Sequence, residues 1–183
     1  MGSATYTCKG IWEKQYIPGR SGNPMLGAAC PAPGYLPMLL PAAWFLNSYA
    51  PGDERKEWGI KINYPSPAGG TLPPFFTKFV DLSVIDQNIG PTTALVAYSF
   101  PILRLAEMYL VAAEAENEVN GPAQAYQYIN KIRWRARADK GNAAQVPDLK
   151  GLSKDEFRNA VLMERKWELS NEGDAWFDLK RTN

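Results

Sequence analysis

Carboxylate pairs are the groups in this sequence whose spacing could support acid–base chemistry. Glu107 and Glu114 are seven residues apart, and Glu164 and Glu168 are four apart, so each pair shares one face of a helix. A glycoside hydrolase needs two carboxylates flanking a sugar, with separated pKa values. Arg104 precedes the first pair in the sequence, and Arg165 and Lys166 lie between the members of the second. Ion pairing within and between helices is therefore the favoured interpretation, and we expect no enzyme.

Composition excludes several other kinds of chemistry. The chain has no histidine, which rules out within it a Ser-His-Asp triad, a Cys-His dyad and any histidine-ligated metal site. Cys8 and Cys30 cannot hold a structural zinc alone, although they could form a disulfide. We expect no metal site and no cofactor. Lys plus Arg number 20 against 19 Asp plus Glu, so no overall field attracts nucleic acid or an anionic membrane.

A basic run with a tryptophan, residues 131–137, is the one segment that suggests nucleic-acid binding. Helical spacing separates its charges, however, since Arg133 and Arg137 share a face that Arg135 does not, and Ile132 faces the core. Neighbouring helices carry matching acids. The arginines are therefore expected to pair with those helices, and no nucleic-acid partner is expected.

Aromatic residues in the first half of the chain could instead bind a sugar. Trp and Tyr rings stack on the flat C–H faces of sugars, while polar neighbours bond the hydroxyls. Any single ring is more often a core residue, yet at least one is expected in an exposed patch. Rings in the helical second half, Trp134, Trp167 and Trp176, are expected in the core, and Trp12 is the weaker candidate for binding. The predicted binding residues, which flank polar turns, are Trp44, Tyr49, Trp58 and Tyr64.

The elements that position these residues differ between the two halves of the chain. Twelve of the 15 prolines lie in residues 1–100, which predicts a loop-rich segment with short elements over 4–100, after a cloning remnant at 1–3. Residues 101–183 are predicted to be helical, with helices at about 102–119, 122–138 and 154–171.

Start and stop signals support these helices. Gly121 and Pro122 mark a tight junction between the first two, and Ser153 and Glu156 form a capping box that opens the third. A short fourth helix is expected near Trp176. In the first half the sequence predicts one helix at Ala42–Tyr49 and two strands at Lys56–Ile62 and Phe75–Leu82. The predicted fold class is mainly α, with the helices packed against the loop-rich segment.

Five sequence motifs, in order over residues 53–181, resemble the SusD/RagB family. The segment Ile102–Ala115 is similar to the family's signature helix, which reads Leu-Arg-x-Ala-Glu-x-x-Leu-x-x-Ala-Glu-Ala. The other segments that resemble family motifs are Asp53-Glu54-Arg55 with Lys78-Phe79, Ala125–Ala136, Glu164–Gly173 and Trp176–Arg181.

The resemblance implies a non-catalytic lipoprotein of Bacteroidota outer membranes that captures glycans, or sometimes peptides, and delivers them to a SusC-like TonB-dependent transporter. It also implies that this chain is a C-terminal part, without the family's tetratricopeptide-like half and lipid anchor. The membrane contact would then be the lipid anchor alone. The motif charges are expected to form a partly buried structural network: Arg104, Glu107, Glu114, Arg133, Glu164, Arg165, Asp178 and Arg181.

Three hypotheses for function remain open at this point. The first is glycan capture at the cell surface. The second is a helical protein-binding module that does not bind glycans itself. The third is a carbohydrate-active enzyme that uses paired carboxylates, which the missing histidine and the flanking arginines disfavour.

Overall fold

Three helices in the second half of the chain pack around one apolar core. They are α3 (Leu105–Asn120), α4 (Pro122–Ala136) and α5 (Lys154–Glu168). Leu110, Ile129, Phe157 and several small residues are fully buried between them. The structure is a computed structural model that describes residues 10–14, 39–66, 69–78, 82 and 100–182. The prediction of a mainly α fold with a few short strands is confirmed.

The junction between α3 and α4 has the predicted form. Gly121 has φ of 85°, a value that glycine adopts without the steric cost of a side chain, and its N–H donates to the Asn117 carbonyl at 3.0 Å. Pro122 then occupies the first turn of α4, where its missing N–H has no consequence. The two helices are therefore antiparallel neighbours.

The capping box at the start of α5 is also confirmed. The Ser153 side chain accepts from the Glu156 N–H, and the Glu156 carboxylate accepts from the Ser153 N–H at 2.8 Å. After α5 the chain turns through Gly173, with φ of 99°, into α6 (Asp174–Thr182). Asp178 is the buried residue of α6, whereas the rings of Trp176 and Phe177 are exposed.

The described residues before α3 form two short helices and two small antiparallel sheets. Helix α1 spans Ala43–Ser48 and α2 spans Glu54–Gly59. In the first sheet, β1 pairs with β4; in the second, β2 pairs with β3. The strands are β1 (Gly10–Lys14), β2 (Ile60–Lys61), β3 (Phe75–Phe76) and β4 (Phe100–Arg104).

Three predicted boundaries are wrong. Most of the predicted strand Lys56–Ile62 is helix α2, because the Asp53 side chain caps the Arg55 N–H at 3.0 Å and starts a helical turn. The first long helix begins at Leu105 rather than 102, because the preceding residues pair with β1. Of the strand predicted at Phe75–Leu82, two residues are strand, and 79–81 lie outside the described residues.

Two other features bear on the predictions. Cys8 and Cys30, which could form a disulfide, lie outside the described residues. In the described part of the chain, no helix combines the length and the apolar character needed to cross a bilayer.

Candidate functional site

A buried carboxylate on α5 is the centre of a charge network that joins four elements. Glu164 has no exposed surface, and each of its oxygens accepts from a different guanidinium. Arg55 Nη1 on α2 lies 2.6 Å from Oε1, and Arg133 Nη1 on α4 lies 2.6 Å from Oε2. Arg55 also forms a two-point pair with Asp53. Helix α2 is thereby fixed to the bundle.

One turn further along α5, Glu168 accepts from three arginines. Arg104 Nη1 is 2.5 Å from Oε1, Arg55 Nη1 is 3.5 Å from Oε2, and Arg135 also contacts Oε1. Burial alone would raise the pKa of Glu168, but these three positive charges hold it well below its usual range. Glu168 is therefore a permanent anion at neutral pH.

The network ends in the turn after α5. Arg104 Nε donates to Glu172 at 2.6 Å and its Nη2 to the Glu168 carbonyl at 2.6 Å. Lys78 also contacts Glu172, and its Nζ donates to the Glu168 carbonyl at 2.8 Å. Desolvation lowers the pKa of Lys78, opposed by the charge of Glu172. Main-chain and side-chain acceptors at the end of α5 are thus satisfied by β4 and the segment after β3.

A second, smaller set of ion pairs attaches α6. Arg165 Nε lies 2.6 Å from Asp178, and Arg181 bonds both Asp178 and the Glu114 carboxylate of α3. Seven of the eight predicted motif charges therefore pair as expected. Glu107 is the exception: among the described residues no cation lies within ion-pair distance of it, and burial raises the pKa of its carboxyl.

Sequence reasoning missed the other half of the first network, which includes Arg55 and Glu172. The signal was present, since Glu164, Glu168 and Glu172 recur every four residues and Arg55 belongs to a family motif. The basic run also behaves as expected, because Arg133, Arg135 and Arg137 each pair with a carboxylate of the same chain.

Helix α1 is held against α5 by an aromatic cluster. Trp167 Nε1 donates to Ser48 Oγ at 2.8 Å, and the Trp167 ring packs against Tyr49 at 6.2 Å between centroids. Phe45 and Tyr49 are both 8% exposed and meet edge to face at 5.2 Å. Burial raises the pKa of Tyr49. Tyr49, which we predicted to bind ligand, is thus largely buried and packs as a support within the aromatic cluster.

Trp44, the neighbour of Phe45, points away from this cluster. Its side chain is 58% exposed, and its ring contacts the Phe45 ring edge at 5.6 Å. The Lys166 ammonium of α5 lies 5.8 Å from the ring centroid. The indole is therefore held on two sides while much of it faces solvent.

The remaining predicted binding rings lie on and after α2. Trp58 is 51% exposed, and its carbonyl accepts from Thr77 Oγ1 at 2.5 Å. Tyr64 is half-buried and meets Phe75 edge to face at 5.9 Å. The ring of Trp44 contacts neither of them. The structure thus places Trp44 and Trp58 at the surface on separate short helices, rather than in one stacked cluster.

Of the three tryptophans expected in the core, one is half-buried and two are exposed. Trp167 is half-buried in the aromatic cluster, as expected, but Trp134 is 51% and Trp176 is 63% exposed. Both lie on the outer faces of their helices, because the inner faces are filled by residues such as Arg133 and Asp178. Trp12, on β1, is 61% exposed.

An open cleft of about 280 Å³ lies between α2 and the turn before it. Its lining combines Tyr49, Gly52 and charged residues that include Lys56 and Glu57. Gly52 has φ of +73°, and a Cβ there would lie 2.4 Å from the Gln145 side chain, so the turn requires glycine. Within the described residues no three acidic or cysteine side chains converge as metal ligands.

A sequence profile of the SusD family matches residues 63–183, about two thirds of the chain. The chain belongs to the SusD family. The SusD-like protein P25 of Formosa agariphila is 52% identical over 80 residues, which are 44% of this chain and 14% of P25. The SusD-like protein P2 of the same organism is 44% identical over 80 residues, 43% of this chain and 16% of P2.

Solved structures share the fold of this chain. A SusD superfamily protein from Parabacteroides distasonis superimposes with a TM-score of 0.75 at 23% identity, over 95% of this chain and 39% of that one. Surface glycan-binding protein A of Bacteroides thetaiotaomicron, in complex with laminarihexaose, gives 0.69 at 18% identity, over 95% and 42%. This chain thus spans well under half the length of these SusD relatives.

Proposed function

We propose that this chain captures glycans through exposed indole rings, as a non-catalytic part of a SusD-family protein at the outer-membrane surface. The observation that supports the proposal most is the placement of Trp44 and Trp58. Each is more than half exposed, although the short helix that bears it is fixed to the bundle by buried contacts. Family membership and the laminarihexaose complex of a relative favour a sugar as the ligand.

Rigid support is what makes exposed rings suitable for binding. An indole loses little conformational entropy when a ligand stacks on it, provided that the backbone beneath is already ordered. Arg55, three residues before Trp58, is fixed by Glu164, and Ser48, four residues after Trp44, is fixed by Trp167. Tyr64 remains a proposed contact at the edge of this surface.

The positions of the carboxylates support a non-catalytic role. Glu164 and Glu168 are buried beneath arginines and have no access to a sugar. Glu114 is paired with Arg181. Glycoside hydrolysis needs one carboxyl whose proton can reach the glycosidic oxygen and a second carboxylate across the sugar. Neither glutamate pair has both of its members available for these two roles.

Delivery to a SusC-like TonB-dependent transporter, and a lipid anchor in the full-length protein, are proposed on family membership alone. The alternative, a protein-binding module, is favoured by one specific observation. Leu105, Met108, Val111 and Val119 form an exposed apolar row along α3. An apolar row of this kind on a helix is typical of a protein interface.

A glycan array probed with the chain, followed by co-purification with a SusC-like transporter, tests the proposal. We expect the chain to bind polysaccharides on the array, and we expect Trp44→Ala to lose this binding. An empty array, combined with transporter binding that Val111→Asp abolishes, would instead favour the protein-binding module.

A further inference from the structure

The contact between Trp44 and Lys166 combines a stacking surface with an unneutralised charge. The Lys166 ammonium lies 5.8 Å from the Trp44 ring centroid, near the outer limit of a cation–π contact. Among the described residues no carboxylate lies within ion-pair distance of Lys166. Lys78 and Lys140, by contrast, each contact a glutamate. Lys166 therefore keeps its hydrogen-bonding capacity for a ligand.

The chain segment that carries Trp44 contributes no acid that would cancel the charge of Lys166. The segment 39–52, which includes α1, has no charged residue at all. The network buried beneath α1 joins five cations to four carboxylates. Its cations are Arg55, Lys78, Arg104, Arg133 and Arg135, and its carboxylates are Asp53, Glu164, Glu168 and Glu172. Lys166 is therefore the charge that the described structure places against the Trp44 ring.

We infer that the glycan bound at Trp44 is anionic, with a carboxylate or a sulfate ester that Lys166 binds while the indole stacks on the sugar ring. The inference rests on the proposed glycan-binding function and specifies its ligand class. An ammonium beside an aromatic face meets the two features of such a sugar at once, its apolar C–H face and its charged substituent. A neutral sugar would use the ring alone.

The chain contains a matched control for this pair. Lys180 lies 5.9 Å from the Trp176 ring centroid on α6, and Trp176 is 63% exposed. The distance from the ammonium to the ring centroid is similar, but here both residues lie on one helix, and Asp174 precedes Trp176 by two residues in the first turn of α6. Variants of Lys180 therefore change the total charge equally without changing the proposed site.

Affinity electrophoresis against a panel of neutral, uronate-containing and sulfated polysaccharides tests the inference. We expect the anionic polysaccharides to retain the unaltered chain. The Lys166→Met variant should bind them with about threefold to tenfold weaker affinity, which is the effect of losing one partly screened charge. Lys166→Arg should restore binding, and Lys180→Met should bind as the unaltered chain does. Retention should also fall between 0.05 and 1 M NaCl, where the screening length drops from above 10 Å to about 3 Å.

A matched pair of oligosaccharides then defines the charged group. A β-1,4-glucose hexamer, its 6-carboxylate counterpart and its 6-sulfate counterpart differ only at one position per sugar, so calorimetric titration separates carboxylate from sulfate recognition. Retention of neutral polysaccharides that Trp44→Ala abolishes and Lys166→Met leaves unchanged would overturn the inference while the proposed function stands. If Trp44→Ala is retained as strongly as the unaltered chain, or if the unaltered chain is retained by no polysaccharide, both the inference and the proposed function are overturned.

Discussion

At the residue scale, two glutamates of the same motif set have opposite electrostatic roles. Glu164 is fully buried between Arg55 and Arg133, so its charge is matched on both oxygens. Glu107 is half-buried, and burial, with Asp174 nearby, raises the pKa of its carboxyl. The first glutamate holds elements together, whereas the second is destabilising when it is ionised.

Replacement of Glu164 by alanine should destabilise the chain strongly. It would leave the buried Arg133 guanidinium without its carboxylate and remove one carboxylate from Arg55, and breaking a desolvated pair costs about 3–5 kcal/mol. Thermal unfolding followed by circular dichroism measures the effect. Glu118→Ala, which removes an exposed carboxylate paired with Arg158, is the control and should change the melting temperature little. Equal shifts in both variants would place Glu164 outside a desolvated network.

Replacement of Glu107 by glutamine should raise the melting temperature at pH 7. Because the folded state raises the pKa of this carboxyl, folding is penalised once the pH exceeds the folded pKa, and the penalty vanishes below the unfolded pKa of about 4.3. The gain should therefore disappear near pH 3.5. Glu114→Gln, which loses its pair with Arg181, should show no such gain. A lower melting temperature for Glu107→Gln at pH 7 would contradict this account.

The contribution of Glu168 to stability should have the opposite pH dependence to that of Glu107. Its folded pKa lies below the unfolded value, so its contribution is complete above pH 5 and is lost as the pH falls through about 4.3 toward the folded pKa. The stability difference between the unaltered chain and Glu168→Gln should therefore shrink between pH 5 and pH 2.5. Chemical unfolding at a series of pH values measures this difference in stability. A difference that stays constant would show that the arginines do not lower the pKa of Glu168.

At the element scale, the two short helices are fixed to α5 by specific polar contacts, which for α1 add to its aromatic packing. Helix α1 depends on Ser48, which donates to the Phe45 carbonyl at 2.7 Å and accepts from Trp167 Nε1 at 2.8 Å. Helix α2 depends on Arg55. The three long helices share the apolar core and do not need these contacts.

Loss of the Ser48 hydroxyl should therefore loosen α1 alone. In Ser48→Ala the Trp167 N–H would lose its acceptor, at a cost of about 1–3 kcal/mol for a buried donor. Hydrogen exchange should accelerate in residues 43–49 while protection in α3 and α4 stays unchanged. Faster exchange throughout the bundle would show instead that α1 is an integral part of the core.

The sequence was most informative about elements whose signals are local. The Gly121-Pro122 junction and the Ser153 capping box depend on neighbouring residues, and both were predicted correctly. Helix α2 was missed because its start depends on an Asp53 cap, which a pattern of apolar residues does not reveal. Tyr49 was misplaced because its burial depends on Trp167, more than a hundred residues away.

At the scale of the whole molecule, the fold separates support from surface. Buried charges and the apolar core occupy the interior, and indole rings of the first half lie on short helices at the outside. The net charge of +1 conceals an uneven distribution, with acids on α3 and, beside Trp44, a lysine that pairs with no carboxylate in the described part of the chain. This arrangement supports the proposed role in glycan binding.

The central claim, that exposed rings of α1 and α2 bind the glycan, is tested most directly by calorimetric titration of three alanine variants. Trp134 on α4 is the matched control, since it has the same exposed fraction as Trp58, 51%. With the polysaccharide identified on the array, Trp44→Ala and Trp58→Ala should each weaken binding by about tenfold or more, as expected for a lost stacking contact. Trp134→Ala should bind as the unaltered chain does. Unchanged affinity in the first two variants, with folding intact, would contradict the account.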